Sequence, residues 1–259
     1  MKAEVVKINV ATGKISETTD YVAEEKPLHI LVNKERYVTI FCSPSNQKEL
    51  AVGHLLSEGI IRSVEEIQSV RIRQDRVCNI KTISAVKLDK RLRLLGASSR
   101  LFVSDFGSLT PHQTSSRLPR IKSELAVEAE VVMSCVKRLN SIAETFKKTG
   151  GVHAAAICKH KGQLVAFAED VGRHNAVDKV VGIGALNHSN FSEGFLALTG
   201  RLTGGIVLKA ARIKIPVIAS LAAALDSGIA VAKSVGLTLI GFAREERMNI
   251  YSFPERISF

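Results

Sequence analysis

The sequence predicts an α/β protein: a C-terminal unit built on a mixed, mainly parallel sheet covered on both faces, beside a smaller α+β N-terminal unit. Three observations carry this. From residue 152 onward, near-continuous apolar strands alternate with helical stretches. The first third holds β-prone runs broken by polar turns. Between them, across residues 94–122, Gly, Ser, Thr and Pro cluster and apolar periodicity fades, which sets a boundary near residue 120 and domains of 1–120 and 121–259.

The elements follow in chain order. Residues 28–32 and 37–42 flank the polar Asn33-Lys34-Glu35-Arg36 and suit a hairpin. A helix comes next: Ser43-Pro44 and Asn46, with Glu49 three residues on, are start signals, Leu50, His54, Leu55 and Ile60 fall near helical spacing, and Gly59 stops it. Segments 70–73 and 77–86 alternate as strands and carry Arg71, Arg73, Arg76 and Lys81 on one solvated face. A mobile loop is expected over 96–120, with 104–113 at its centre. One amphipathic helix is predicted over 124–148, with Cys135 on its buried stripe and Gly150 at its end. Strands 152–158 and 163–168 turn at Lys161-Gly162. Helix 176–186, strand 194–198, helix 205–212, strand 215–219, helix 226–234 closed by Gly236, and a final strand 237–243 complete the alternation.

Composition narrows the function classes. At 259 residues, 46% hydrophobic and 24% charged, the chain buries a full core without disulfides or metal. No apolar run reaches the roughly 18 residues that span a bilayer, so no membrane association and a cytoplasmic location are expected. Cys42, Cys78, Cys135 and Cys158 show no Cys-x-x-Cys spacing and read as free thiols. The net charge of +11 favours acidic partners: nucleic acid, a phosphorylated cofactor or an acidic protein surface. With no Trp and three Tyr, a base-stacking surface for single strands is poorly supported.

The segment from Glu169 to Lys179 follows a predicted strand and enters a predicted helix, where α/β proteins usually build ligand sites, so its polar side chains are expected to face a cleft. Gly172 permits a tight turn or close ligand approach, and Arg173, His174 and Lys179 suit an anion at the helix start. Glu169, Asp170 and Asp178 suit ordering those cations or binding a base edge or amide, and the lesser alternative is an ion-paired loop that only ties strand to helix. Gly150-Gly151-Val152-His153 is a second candidate, although His153 lacks the partners of the His-x-Glu and Pro-Cys-x-x-Cys zinc pattern. Two more loops follow strands: Thr199-Gly200-Arg201-Leu202-Thr203-Gly204-Gly205, and Phe242-Ala243-Arg244-Glu245-Glu246-Arg247, whose arginines grip phosphate or carboxylate with paired donors.

Several segments together resemble one family. The helix sequence Glu49-Leu50-Ala51-Val52-Gly53-His54-Leu55-Leu56-Ser57-Glu58-Gly59, then Gly151-Val152-His153-Ala154-Ala155, the Glu169 run with Asn175 and Asp178, Gly200-Arg201, and the ending with Phe242, Arg244 and Asn249-Ile250-Tyr251 are similar in kind and order to the FdhD family of formate dehydrogenase accessory proteins. The resemblance implies a cytidine-deaminase-like three-layer C-terminal fold. It also implies a sulfurtransferase that takes sulfur from a cysteine desulfurase and passes it to the molybdenum bis-guanine-dinucleotide cofactor of formate dehydrogenase. By position, Phe242, Ala243, Arg244, Glu245, Glu246 and Arg247 match the cofactor-binding stretch, with Gly172, Arg173, His174, Asn175, Asp178, Gly200 and Arg201 as further candidates. Guanine nucleotide is an implied ligand, no metal of the protein's own is expected, and a homodimer is left open.

One departure bears on catalysis. The family has a Cys-Gly-x-Cys-Gly loop whose first cysteine carries the persulfide; here the corresponding stretch is Val103-Ser104-Asp105-Phe106-Gly107-Ser108-Leu109. A serine hydroxyl does not replace a thiolate at neutral pH. A smaller departure is Ala222-Ala223-Ala224-Leu225-Asp226, where the family usually has a Ser-Ala-Pro-Thr turn. Two readings follow: a sulfurtransferase working through another thiol, and a non-catalytic module that binds and escorts the cofactor or a guanine nucleotide.

Overall fold

A computed structural model describes residues 1–74, 76–83 and 118–259. Most of the expected 96–120 loop, all of 104–113 and the end of the 77–86 strand lie outside the described residues. The chain opens with an exposed hairpin, β1 (Lys2–Asn9) and β2 (Lys14–Tyr21), which the sequence reading missed although Val6, Ile8 and Val10 alternate there. β3 (Lys26–Val32) and β4 (Glu35–Cys42) are the expected hairpin, turned by Asn33 and Lys34 in the left-handed region. β5 (Ile67–Arg73) and β6 (Val77–Thr82) join them in the order β4-β3-β6-β5. Helix α1 (Gln47–Ser57) packs on β5 and β6 and buries Leu50 and Leu55 completely, each burial contributing about 1.5–3 kcal/mol.

The helix expected over 124–148 is three elements. Val127–Glu128 is a short strand, β7, followed by α2 (Ala129–Ile142) and α3 (Glu144–Thr149). The break falls at Ala143, which is buried with ψ 79°, and the new helix start is satisfied from outside: the Glu169 carboxylate accepts the Thr145 and Phe146 N–H groups at 3.0 and 2.8 Å.

The larger sheet runs β13-β12-β11-β10-β8-β9. Its strands are β8 (His153–Lys159), β9 (Leu164–Asp170), β10 (Gly194–Leu198), β11 (Val217–Ser220), β12 (Thr238–Arg244) and β13 (Arg247–Ser252). β10–β11 and β11–β12 pair parallel, whereas β8–β9, β8–β10 and β12–β13 pair antiparallel. The sheet is mixed, as expected, but not mainly parallel, because hairpins turned at Lys161-Gly162 and Glu245-Glu246 occupy both edges and β8 runs against β10. Nor is the strand over 237–243 the last: β13 returns beside it, and β14 (Ile257–Ser258) pairs with β7. Even so, β9, β10, β11 and β12 point the same way, so their carboxyl ends share one edge.

Helices α4 (Arg173–Leu186), α5 (Gly204–Arg212) and α6 (Asp226–Val235) cover one face of this sheet, and α2 covers the other, with Val132, Val136 and Leu139 against Ala156, Phe195 and Val217. Three layers result. Each of α4, α5 and α6 follows a strand of the shared direction, which sets its positive end at the shared edge. Among the described residues no helix is long and apolar enough to cross a membrane.

The two units share one apolar core that runs from Leu28 and Ile30 through Val177 and Val180 to Leu239. α1 crosses α4 at backbone contact. A Cβ on Gly53 would overlap the Asp178 carbonyl oxygen and stand 2.6 Å from the Gly182 nitrogen; one on Gly182 would overlap the Glu49 carbonyl. Only glycines permit this crossing.

Candidate functional site

The segment from Glu169 to Lys179 spans the end of β9, the Val171-Gly172 turn and the first two turns of α4. Its polar side chains were expected to face a cleft; most do not. Asp170, His174, Asn175, Asp178 and Lys179 are all buried, because the N-terminal unit closes over this side of α4. Lys179 Nζ lies 2.7 Å from Asp170 Oδ2 with both groups fully enclosed, and it also donates to the carbonyls of Ser43 and Glu169. The Asp170 carboxylate accepts the Ser43, Gly172 and Asn175 donors, and Asn175 Nδ2 reaches the Phe41 carbonyl at 2.8 Å. The chain just after β4 is thereby laced to the start of α4.

A second buried cluster fills the seam between α1, α4 and α5. Asp178 receives His54 Nδ1 at 2.8 Å, Ser57 Oγ at 2.6 Å and Lys209 Nζ at 2.9 Å. Lys209 pairs with Glu58 at 2.7 Å, and Arg212 holds the other Glu58 oxygen at 3.0 Å. Burial is the largest single influence and raises both carboxyls, but Lys209 together with His54 beside Asp178, and with Arg212 and His54 beside Glu58, outweighs it and holds both below the usual carboxylate range. Burial likewise opposes the Lys209 charge, and the two carboxylates keep its pKa raised. Two acids face two cations, so the seam is neutral and internally satisfied.

The imidazoles are the exceptions. His174, one helical turn before Asp178 and 6% exposed, has no hydrogen-bond partner on either ring nitrogen; neither has His54 Nε2, whose ring faces Tyr37 at 5.8 Å. Burial first, then Lys209 and Arg173, pushes the His174 pKa down to about 4, so the ring is neutral at pH 7.

The open half of the site is the shared strand edge. Arg173, at the first position of α4, lies across Gly200: a Cβ there would stand 2.9 Å from the arginine Cβ. The loop after β10 is pinned by Ser220 Oγ, which donates to the Gly200 carbonyl at 2.7 Å, and by a bridge from Leu202 to Ala224. The loop after β11 reaches the next strand, where the Phe242 N–H donates to the Ala222 carbonyl at 3.0 Å. The sequence-nominated stretches thus stand in one row: Arg173 against Gly200-Arg201, then Ala222-Ala223-Ala224, then Phe242 to Arg247. Gly172 is buried as the N-terminal cap of α4, whereas Arg201, Arg244, Glu245, Glu246 and Arg247 are exposed. The ladder shifts register between Gly241 and Arg244, Phe242 and Glu245 take φ values of 51° and 59°, and the Arg244 guanidinium sits 5.6 Å from the Phe242 ring centroid. Left-handed backbone at two non-glycine positions marks a held conformation of the kind found beside ligand sites.

The thiols belong to neither half. Cys42, Cys78, Cys135 and Cys158 are all buried, and burial pushes Cys42 and Cys78 up to about 12. Cys135 and Cys158 share a hydrogen bond that, with burial, keeps the Cys158 proton firmly in place. Sequence reasoning missed Ser43, Ser57, Glu58, Lys209 and Arg212. A signal existed: Lys179 and Lys209 each interrupt an otherwise apolar helical run, which a buried partner alone explains.

A family model described as the FdhD/NarQ family matches residues 23–258. The "Sulfur carrier protein FdhD" of Sulfolobus acidocaldarius is 34% identical over 261 residues, covering 99% of each chain. That of Staphylococcus aureus is 34% identical over 250 residues, covering 95% of this chain and 92% of its own. A crystal structure from Desulfotalea psychrophila, described as a formate dehydrogenase accessory protein, matches with a TM-score of 0.81 at 28% identity, over 100% of this chain and 99% of that one.

Proposed function

The chain belongs to the FdhD/NarQ family, and from that premise we propose that it is an accessory protein for formate dehydrogenase maturation that binds the molybdenum bis-guanine-dinucleotide cofactor as cargo and takes part in its sulfuration. The observation that carries the reading is the single row of strand-end loops, which sets Arg173, Arg201, Arg244 and Arg247 along one edge beside three helix N-termini. Such an edge suits the pyrophosphates of a dinucleotide: the guanidinium forks match phosphate oxygens, and the helix ends add positive potential. Phe242 to Arg247 is the proposed grip, with Gly200 and Arg201 beside it. Gly172, Arg173 and His174 complete the α4 end, while Asn175 and Asp178 enter the reading from behind, by holding α4 in place. The three layers and the position of His153 at the sheet edge are consistent with a cytidine-deaminase-like fold. The reading brings with it a cytoplasmic location, a cysteine desulfurase as sulfur source and a homodimeric form, each a separate proposal.

Calorimetric titration of the full chain with GDP tests the binding step. Binding weakened by Arg244→Ala supports it; absent binding, or binding indifferent to that change, sinks it. A second reading, a cofactor-binding escort without sulfurtransferase activity, is favoured by the burial of all four thiols. Incubation with a desulfurase and cysteine, followed by intact-protein mass spectrometry, separates the two. A persulfide adduct retains the transfer role, and its absence at every cysteine leaves the escort.

A further inference from the structure

The four-stranded N-terminal sheet packs one face on α1, and the residues of its other face have no part in the cofactor edge. Register identifies them. Leu28 and Ile30 of β3, and Cys78 and Ile80 of β6, point inward and are buried, so their neighbours in the alternation point outward. Across β5 and β6, Ser69 lies opposite Lys81, Arg71 opposite Asn79 and Arg73 opposite Val77, which sets Arg71, Arg73 and Lys81 together on the outward side. All three are exposed, whereas Arg76, expected beside them, stands in the connecting turn. Arg36 joins the same side from β4, where its guanidinium donates to the Thr39 hydroxyl at 2.9 Å. Leu31, opposite Arg36, and Val77 are partly exposed apolar residues of this face. Among the described residues no Asp or Glu occupies an outward position of these strands, and no carboxylate pairs with Arg36, Arg71, Arg73 or Lys81.

We propose that this open sheet face docks an acidic, extended segment of a partner protein, with its carboxylates on Arg71, Arg73 and Lys81. Charge complementarity carries the choice, since the cations stand together unmatched and guanidinium forks take carboxylates with paired donors. Charge on an edge strand also discourages pairing between copies. Mixed signs would serve that purpose equally, so an uninterrupted positive set needs another reason. Spacing favours an extended occupant: Arg71 and Arg73 are alternate residues of one strand, roughly 7 Å apart, which is the repeat of alternate side chains in an extended peptide. Among the described residues β5 is the last strand of its sheet, so a peptide laid along it finds backbone groups to pair with. The rest of the face favours polypeptide over single-stranded nucleic acid. Leu31 and Val77 are aliphatic, and Phe41, the only Phe, Tyr or Trp at an outward position, lies on β4 at the opposite edge from Arg71. Bases need stacking faces beside the cations, and none stands there.

Fluorescence anisotropy of the full chain with a fluorescein-labelled peptide of alternating Glu and Thr tests the surface, independently of any cofactor binding. The peptide is expected to bind, and to bind less as salt rises, because exposed charge is screened. The same peptide with Gln in place of Glu should bind about tenfold more weakly. Arg71→Ser with Arg73→Ser should weaken the acidic peptide about tenfold, at an unchanged urea midpoint because both side chains are exposed. Lys81→Ser, a second and independent variant, should weaken it by a smaller factor, and Arg244→Ala at the cofactor edge should leave it unchanged. Absent binding, equal binding of the Glu and Gln peptides, or binding that survives the substitutions on β5 and β6 and falls with Arg244→Ala instead, overturns the proposal. So does a labelled oligodeoxythymidine that binds more tightly than the acidic peptide and loses that binding in the double variant, since the face would then be a nucleic-acid surface.

Discussion

The seam behind α4 and the edge in front of it are made of the same kinds of side chain and treat charge in opposite ways. Behind the helix, buried Asp178 and Lys209 are linked to the partly buried Glu58 and Arg212, with every carboxylate oxygen of the two acids held by a donor. In front of it, Arg201, Arg244 and Arg247 stand in solvent with only Glu245 and Glu246 exposed among them. Enclosed charge is matched because an unmatched one costs several kcal/mol; exposed charge is left in excess because water screens it until a polyanion replaces the water. A family-specific run such as Glu169 to Lys179 therefore carries two kinds of constraint: one fixes architecture, the other presents a surface.

The contrast breaks first at Lys209. Lys209→Met leaves Asp178 and Glu58 enclosed without their shared cation, and urea denaturation should show a loss of about 3–5 kcal/mol. Adding Asp178→Asn should restore a large part of it; a single-variant loss under about 1 kcal/mol would show that the seam is not held by charge.

Acid sharpens the contrast next, through His174. Its folded pKa of about 4 lies below the unfolded value of 6.5, so the unfolded chain binds the proton more readily between them. Stability is whole above about pH 6.5 and is lost as pH falls toward 4, by up to about 3 kcal/mol. Denaturation midpoints at pH 7 and pH 4.5 should diverge in the native chain and converge in His174→Met; an unchanged slope in the variant would assign the acid sensitivity elsewhere.

The smallest stability effect belongs to the edge. Arg244→Ala should shift stability by no more than about 0.5 kcal/mol, since the side chain is exposed. The same variant should weaken GDP by roughly tenfold, or about 1.4 kcal/mol. Loss of folding in this variant would erase the distinction between the two regions.

Much of the edge was legible in the sequence. Gly200-Arg201 was recognisable as a loop after a strand, whereas Phe242 to Arg247, read as a loop, is the hairpin end of β12 and β13 with only Glu245-Glu246 in the turn; its place at the strand-end edge follows from the shared strand direction. The seam was not legible, because its partners lie far apart in the chain: Ser57 and Lys209 are 152 residues apart, and no local period links them. Asp178 and Asn175 were read as cleft-facing because α4 was considered alone, before α1 was laid across it. The helix over 124–148 was drawn too long for a similar reason. Its apolar stripe continues past Ala143, and the break is visible only once Glu169 from β9 is found capping the second piece. The exposed β1–β2 hairpin shows the reverse failure, since its alternation was present but no buried face called attention to it.

The glycine crossing of α1 and α4 has a consequence in time. On a ribosome, residues 1–57 emerge well before the helix that fills the groove beside Gly53, and Lys209 follows Ser57 by 152 residues. At about 5–20 residues per second, the first part of the molecule waits roughly 8–30 s with Glu58, His54 and the β4 exit uncovered. The N-terminal sheet cannot reach its final state as an early, independent unit, and its completion belongs to a late stage of synthesis.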